Sequence, residues 1–159
     1  MTVSQQRDTT TIRQTVTFSA SSQEVFETLM DSRQHQALSG EKAVISRQVG
    51  GAFTAWGDHI AGFNLAFEPG RKIGQAWRAR DWWPDHYSIA TFELNEVAGG
   101  TELRFTQIGA PPHRFDGHSQ GWIDGYWKPM QDPVAKGAIS DAAQSAHQAA
   151  RQRIDKGDF

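Results

Sequence analysis

Residues 116–130 read DGHSQGWIDGYWKPM. Wound at 100° per residue, Trp122, Ile123, Tyr126, Trp127 and Met130 fall on one side of a helix. Asp116 is placed to act as its N-cap, the carboxylate accepting backbone N–H groups that the first turn leaves open. Gly117, Gly121 and Gly125 fall roughly opposite the apolar arc, and each costs about 1 kcal/mol relative to alanine. A helix that gives up so much propensity has to be held by whatever its aromatic side packs against. The preceding chain is therefore expected to supply a surface for that side.

Residues 44–108 have the punctuation of such a surface. Gly50-Gly51, Gly57-Asp58, Pro69-Gly70 and Gly99-Gly100 are turn chemistry, since glycine accepts the positive φ that tight hairpins need. Strands are expected near 44–48, 52–56, 59–67, 72–79, 86–96 and 101–108. By alternation, Phe63, Leu65 and Phe67 share a face, as do Ile73, Gln75 and Trp77. Ala90, Phe92 and Leu94 form another set, followed by Leu103, Phe105 and Gln107. Short connections favour antiparallel pairing, with one face buried and the other wet. The segment RDWWPD, residues 80–85, interrupts this meander with two tryptophans and a proline.

Upstream, Ile12, Gln14, Val16 and Phe18 alternate with polar residues, the period of a half-buried strand. Ser21 with Glu24 makes a capping box ahead of the helical stripe Val25, Phe26, Leu29 and Met30. Asp31 with Gln34 repeats the box and predicts a second short helix to about Leu38. The order is thus one strand, two short helices, about six strands and a long aromatic helix. That is an α+β chain of the helix-grip type, a curved antiparallel sheet wrapped around a long C-terminal helix. Residues 1–10 read as a disordered N-terminus and 11–133 as the domain, with Asp132-Pro133 ending the long helix. Residues 134–159 read as a C-terminal extension. The Ala- and Gln-rich part, 138–156, fits a flexible tail and a docked helix equally well.

With 159 residues the chain suits one domain with a real core. A net charge of −2 with scattered Lys and Arg leaves no electrostatic footprint for nucleic acid. No apolar run approaches a membrane span and the N-terminus lacks a signal-peptide core. The absence of cysteine excludes disulfides, thiolate ligands and a cysteine nucleophile, and it fits a reducing cytoplasm, the expected location. The six histidines include no i, i+4 pair, so no metal site is expected. No nucleophile with a base, carboxylate pair or phosphate loop stands out, so no catalytic residue and no cofactor are assigned. His86, beside the tryptophan loop and two residues from Ser88, is the best titratable candidate.

The space between sheet and helix is expected to be lined by Phe53, Phe63, Leu65, Gln75, Trp77, Phe92, Phe105, Gln107, Trp122, Tyr126 and Met130. A solid aromatic core would use the same residues. The two glutamines favour a cavity, because burying an amide without a partner costs about 1–3 kcal/mol. Apolar walls with a few placed polar groups describe a small-molecule site. Trp82 and Trp83 offer either an anchor for a protein partner or a lid, the competing reading being that Trp83 packs back on the sheet edge.

The chain resembles the START-like, birch-pollen-allergen-related superfamily, and within it the heat-shock protein 90 ATPase activator homologues. The matching marks are Gly50-Gly51 before Phe53, Ile73 with Trp77-Arg78, and Trp83-Pro84 before His86. Gly99-Gly100-Thr101 before Leu103, and Gly121-Trp122 with Tyr126-Trp127, complete them. The likeness spans about Thr11 to Met130 and is to the C-terminal domain of the two-domain co-chaperones. Single-domain relatives imply binding of an apolar small molecule, the co-chaperones imply a chaperone ATPase as partner, and superfamily cousins imply a cyclase or hydratase. The expectation drawn is non-catalytic binding of a small apolar molecule. A chaperone-directed interaction module is the alternative, and an enzyme using His86 as base the second alternative.

Overall fold

The computed structural model describes residues 8–131, 148–149 and 151–155. Seven strands form one sheet: β1 (Thr10–Phe18), β2 (Val44–Ile45), β3 (Ala52–Ala55), β4 (Ile60–Glu68), β5 (Lys72–Ala79), β6 (Ser88–Val97) and β7 (Gly100–Ala110). Their order is β1-β7-β6-β5-β4-β3-β2, and every neighbouring pair is antiparallel. The tight turns predicted by the glycine pairs let β2 to β7 follow one another across the sheet. Only the step from β1 to β2 crosses from one edge to the other, and α1 (Ser22–Met30) and α2 (Ser32–Ser39) carry it.

The first helix starts as its capping box dictates, and the second keeps half of its own, because the Asp31 amide is bonded to the Glu27 carbonyl and not to the Gln34 side chain. The Ser21 hydroxyl accepts from the Glu24 amide at 3.1 Å and the Glu24 carboxylate accepts from the Ser21 amide at 3.2 Å. Each satisfies a donor that the first turn leaves open. Asp31 accepts from the Gln34 amide at 3.0 Å, and Gly40 ends α2 at a left-handed φ of 72°. Val25, Phe26, Leu29 and Met30 are buried against the sheet.

The C-terminal helix departs from the sequence reading at its start. Pro112–Arg114 forms a 3-10 turn, α3 (Phe115–Trp122) follows directly, and Asp116 lies within the first turn instead of capping it. Pro111 is extended and Pro112 opens the turn, since its fixed φ suits a helix start and its missing N–H costs nothing there. The helix then widens into a π turn, Ile123–Trp127, and ends in α4 (Lys128–Met130). An extra residue per turn shifts the arc. Tyr126 and Trp127 both face inward beside Trp122, as expected, whereas Gly121 and Gly125, expected on the far side, are buried, as is Asp124.

Residues 151–155 are helical and lie against the domain. Ile154 packs on the core, Arg151 pairs with Glu41 at 3.1 Å, and Arg153 approaches Asp124 at 3.5 Å. Residues 1–7, Asp132-Pro133 and most of the 138–156 segment lie outside the described residues.

Candidate functional site

Between the sheet and the C-terminal helix, the inward positions of β5, β6 and β7 present Gln75 and Trp77, Phe92, and Phe105 and Gln107. The helix adds Trp122, Tyr126 and Trp127. Trp122 is the centre, 1% exposed, with ring centroids at 4.3 Å to Phe105 and 4.7 Å to Tyr126. Trp77 stands at 5.4 Å, Trp127 at 5.6 Å and Phe92 at 5.8 Å. Aromatic pairs attract at 4.5–7 Å, so these rings fill one another's space.

The polar groups inside are matched to one another. The Trp122 indole donates to Gln107 Oε1 at 2.9 Å, and Gln107 Nε2 donates to Ser88 Oγ at 2.9 Å. Ser88 donates onward to the Trp77 carbonyl at 2.8 Å. Gln75 Nε2 donates to Asn64 Oδ1 at 3.4 Å and lies 4.0 Å from the Met30 sulfur. The two amides expected to orient a ligand thus hold the protein's own side chains.

Phe63 and Leu65 require correction: they are 44% and 46% exposed, on the outer face. The inward positions of β4 are Ile60, Gly62 and Asn64, and a bulge between Asn64 and Ala66 then returns Phe67 to the inside. A bulge inserts one residue into a strand, so alternation read across it assigns the wrong face. Phe53 is buried at the β3 end of the sheet and Met130 is half-buried.

Trp82, considered as an anchor, is also corrected. It is 4% exposed, its ring lies 5.4 Å from Trp77, and its indole donates to His118 Nε2 at 2.9 Å. Trp83 is half-buried, edge-on to His86 at 5.0 Å. Arg78 holds this loop, with Nη2 donating to the Trp82 and Trp83 carbonyls at 3.4 and 3.3 Å and Nε to the His86 carbonyl at 3.3 Å. His86 Nε2 donates to the Gly109 carbonyl at 2.7 Å, since a carbonyl can only accept. Its ring ties the loop to β7 and is not aimed at a reacting centre between sheet and helix.

Three further residues escaped the sequence reading. Gln14 accepts from the Trp127 indole at 2.7 Å and donates to the Ser119 carbonyl at 2.8 Å. It sits at an inward position of β1, and a polar residue in an otherwise apolar alternation was the available signal. His35 Nδ1 donates to the Leu29 carbonyl at 3.1 Å, which leaves Nε2 to accept from the Tyr126 hydroxyl at 3.0 Å. Burial lowers His35 to about 4, against the Leu29 contact that raises it, and the same burial pushes the Tyr126 phenol up. His118 is lowered to about 3, mainly by burial, then by the charges of Arg114, His59 and His113. No local pattern marks either histidine.

Among the recesses on the described surface, two lie away from this interior. One, of about 390 Å³, lies between Ser19–Ser21 with Glu24 and Glu96–Gly100. The other, of about 440 Å³, lies between 112–117 and Arg153. Among the described residues no group of three His, Cys, Asp or Glu side chains is placed to hold a metal ion. No described helix is long and apolar enough to cross a membrane.

A curved antiparallel sheet closed by a C-terminal helix, with two short helices after the first strand, is the helix-grip class of α+β protein. The family model described as "Activator of Hsp90 ATPase homolog 1-like protein" matches residues 19–130, and the chain belongs to that family. It is 32% identical over 113 residues to the mouse activator of 90 kDa heat shock protein ATPase homolog 2, covering 70% of this chain and 32% of that protein. The Dictyostelium discoideum activator of 90 kDa heat shock protein ATPase homolog is 27% identical over 116 residues, 72% of this chain and 30% of its own length. The chain therefore spans about a third of these curated relatives. In fold it is similar to an HSP90 activator from Plasmodium falciparum, with a TM-score of 0.68 and 24% identity over 73% of this chain and 89% of that one.

Proposed function

We propose that this chain is a protein-interaction module that engages a heat-shock protein 90-type chaperone in the cytoplasm and acts on its ATPase. The family match over 19–130 supports the partner class, since the mouse and Dictyostelium relatives are named for that ATPase. The observation that carries the choice over small-molecule carriage is the interior itself. Trp122, Phe105, Tyr126 and Gln107 occupy the space an apolar ligand would need, and recognition is left to the outer surface. Carriage would require the central indole to move and the Gln107 amide to find other partners, at about 1–3 kcal/mol for each buried polar group left unmatched.

The test uses the purified full chain with a purified Hsp90-type chaperone. Steady-state ATP hydrolysis is expected to change with a saturable dependence on the chain, and the two should co-migrate in size-exclusion chromatography. An unchanged ATPase rate, with no co-migration at high concentrations of both, would remove the reading.

A further inference from the structure

The outer face of an antiparallel sheet is ordinarily polar. Here the ladders align a row of outward residues across six strands. Ala52 is opposite Phe63, Phe63 opposite Ala76, Ala76 opposite Ile89, Ile89 opposite Ile108, and Ile108 opposite Thr11. Ile89 and Ile108, in the middle of the sheet, are 50% and 53% exposed, and Phe63 is 44% exposed. Tyr87 widens the row, its ring 5.8 Å from that of Phe63. Five strand spacings of ~4.8 Å make the row about 24 Å long. Adjoining large apolar side chains on a sheet centre go beyond the scattered exposure that needs no explanation.

At the outward strand positions flanking the row the charged side chains are Arg78 on β5 and Arg13 on β1. The Arg78 guanidinium lies 5.9 Å from the Tyr87 ring centre, held in place by three carbonyls. Arg13, opposite Thr106 on β1, borders the other flank. Among the described residues neither has a carboxylate partner. The face's nearest carboxylate along β6 is Glu93, four residues from Ile89 and so about 13 Å away. Arg104, directly across from Glu93 on β7, is paired with Glu102 at 2.9 Å.

This pattern decides between occupants. Two rows of this length cover about 340 Å² at strand dimensions, less than half of the ~800 Å² per partner that a stable dimer buries. A second copy would also bring Arg13 and Arg78 near their own counterparts. An extended segment of about seven residues spans 24 Å at ~3.3 Å per residue and can follow a curved face. We infer that the outward row from Phe63 through Ile89 to Ile108 is a docking site for an extended partner segment that alternates large apolar side chains with carboxylates. Apolar contact would supply affinity, and Arg13 and Arg78 would select for acidic flanks. The assignment does not require that the partner be the chaperone.

The probe is a synthetic peptide of roughly twelve residues alternating Leu or Phe with Asp or Glu, with a counterpart in which Lys replaces each acid. Titrated into the isotopically labelled full chain, the acidic peptide should shift amide resonances confined to β1 and β4–β7 around Arg13, Phe63, Ala76, Ile89 and Ile108. It should bind at least tenfold tighter than the Lys peptide at low salt. Ile108→Glu should weaken it at least tenfold and Arg13→Gln several-fold, with thermal unfolding unchanged because both side chains face solvent. Equal binding of the two peptides, shifts elsewhere, or no shifts at millimolar peptide would overturn the assignment. So would self-association abolished by Ile108→Glu, which points to a second copy. Cosedimentation with anionic phosphatidylserine vesicles that Ile108→Glu abolishes would point instead to a lipid surface.

Discussion

Trp122→Ala separates a filled interior from a ligand cavity, because the two make opposite predictions. The indole is 1% exposed and sits within 6 Å of five other rings. Burying roughly 200 Å² of aromatic surface at ~25 cal/mol per Å² sets an upper figure of about 5 kcal/mol. Measured Trp-to-Ala losses of about 3–5 kcal/mol agree. The substitution also strips the donor from Gln107 Oε1, adding about 1 kcal/mol. A domain in the upper part of the 5–15 kcal/mol range survives that, weakened, so the urea midpoint should fall while the unfolding slope is kept. Isothermal titration with indole should then show no uptake by the unaltered protein and new, saturable uptake by Trp122→Ala, because an apolar hole of that size stays dry and binds aromatics. Indole binding by the unaltered protein, lost in the variant, would refute the filled interior and restore the carrier reading. Should Trp122→Ala fail to fold, Trp122→Leu makes the same test with a smaller hole.

Acid should destabilise the fold through its buried histidines. His35 and His118 titrate near 4 and 3, below the unfolded value of 6.5, so below pH 6.5 the unfolded chain binds the extra protons. Stability is therefore full above pH 6.5 and falls toward pH 4, by about 3 kcal/mol through His35 alone. Urea midpoints at pH 7.5, 5.5 and 4.5 should show this, and His35→Gln should flatten the decline; an equal decline in that variant would contradict it. Gly62→Ala places a methyl 1.8 Å from the Ala76 carbonyl oxygen and 2.8 Å from the Phe53 ring. It should cost about 1–3 kcal/mol or more, whereas Gly74→Ala, whose nearest atom is 3.7 Å away, should be close to neutral by thermal melting. Similar melting shifts for the two would mean that the sheet relaxes around residue 62.

Local rules, each written within a few residues, carried the sequence reading a long way. Capping boxes at Ser21 and Asp31, glycine turns between strands and period-two alternation in β5 to β7 placed nearly every element and the inward side of most. The family resemblance followed from the same marks. Readings failed where a local period was interrupted or where the answer lay with distant partners. The bulge after Asn64 splits Phe63 and Leu65, which face outward, from Phe67, which faces in, and Gly121 and Gly125, expected opposite the apolar arc, are buried.

Sequence alone indicated that the aromatic helix packs on an antiparallel sheet, because its apolar side needs a surface to leave water and residues 44–108 have the turns and alternation to supply one. Only the tertiary structure shows which side chains meet inside the grip. Gln107 reads as an unmatched amide until Trp122, fifteen residues away, and Ser88, nineteen residues away, close on it. Gln14 meets Trp127 across 113 residues, and Trp82 turns inward where His118, 36 residues on, accepts a hydrogen bond from its indole N–H. Hydrogen bonds and ring contacts between remote segments leave no periodic trace in the chain. Whether polar residues mark a ligand site or complete a core is settled only when those segments meet.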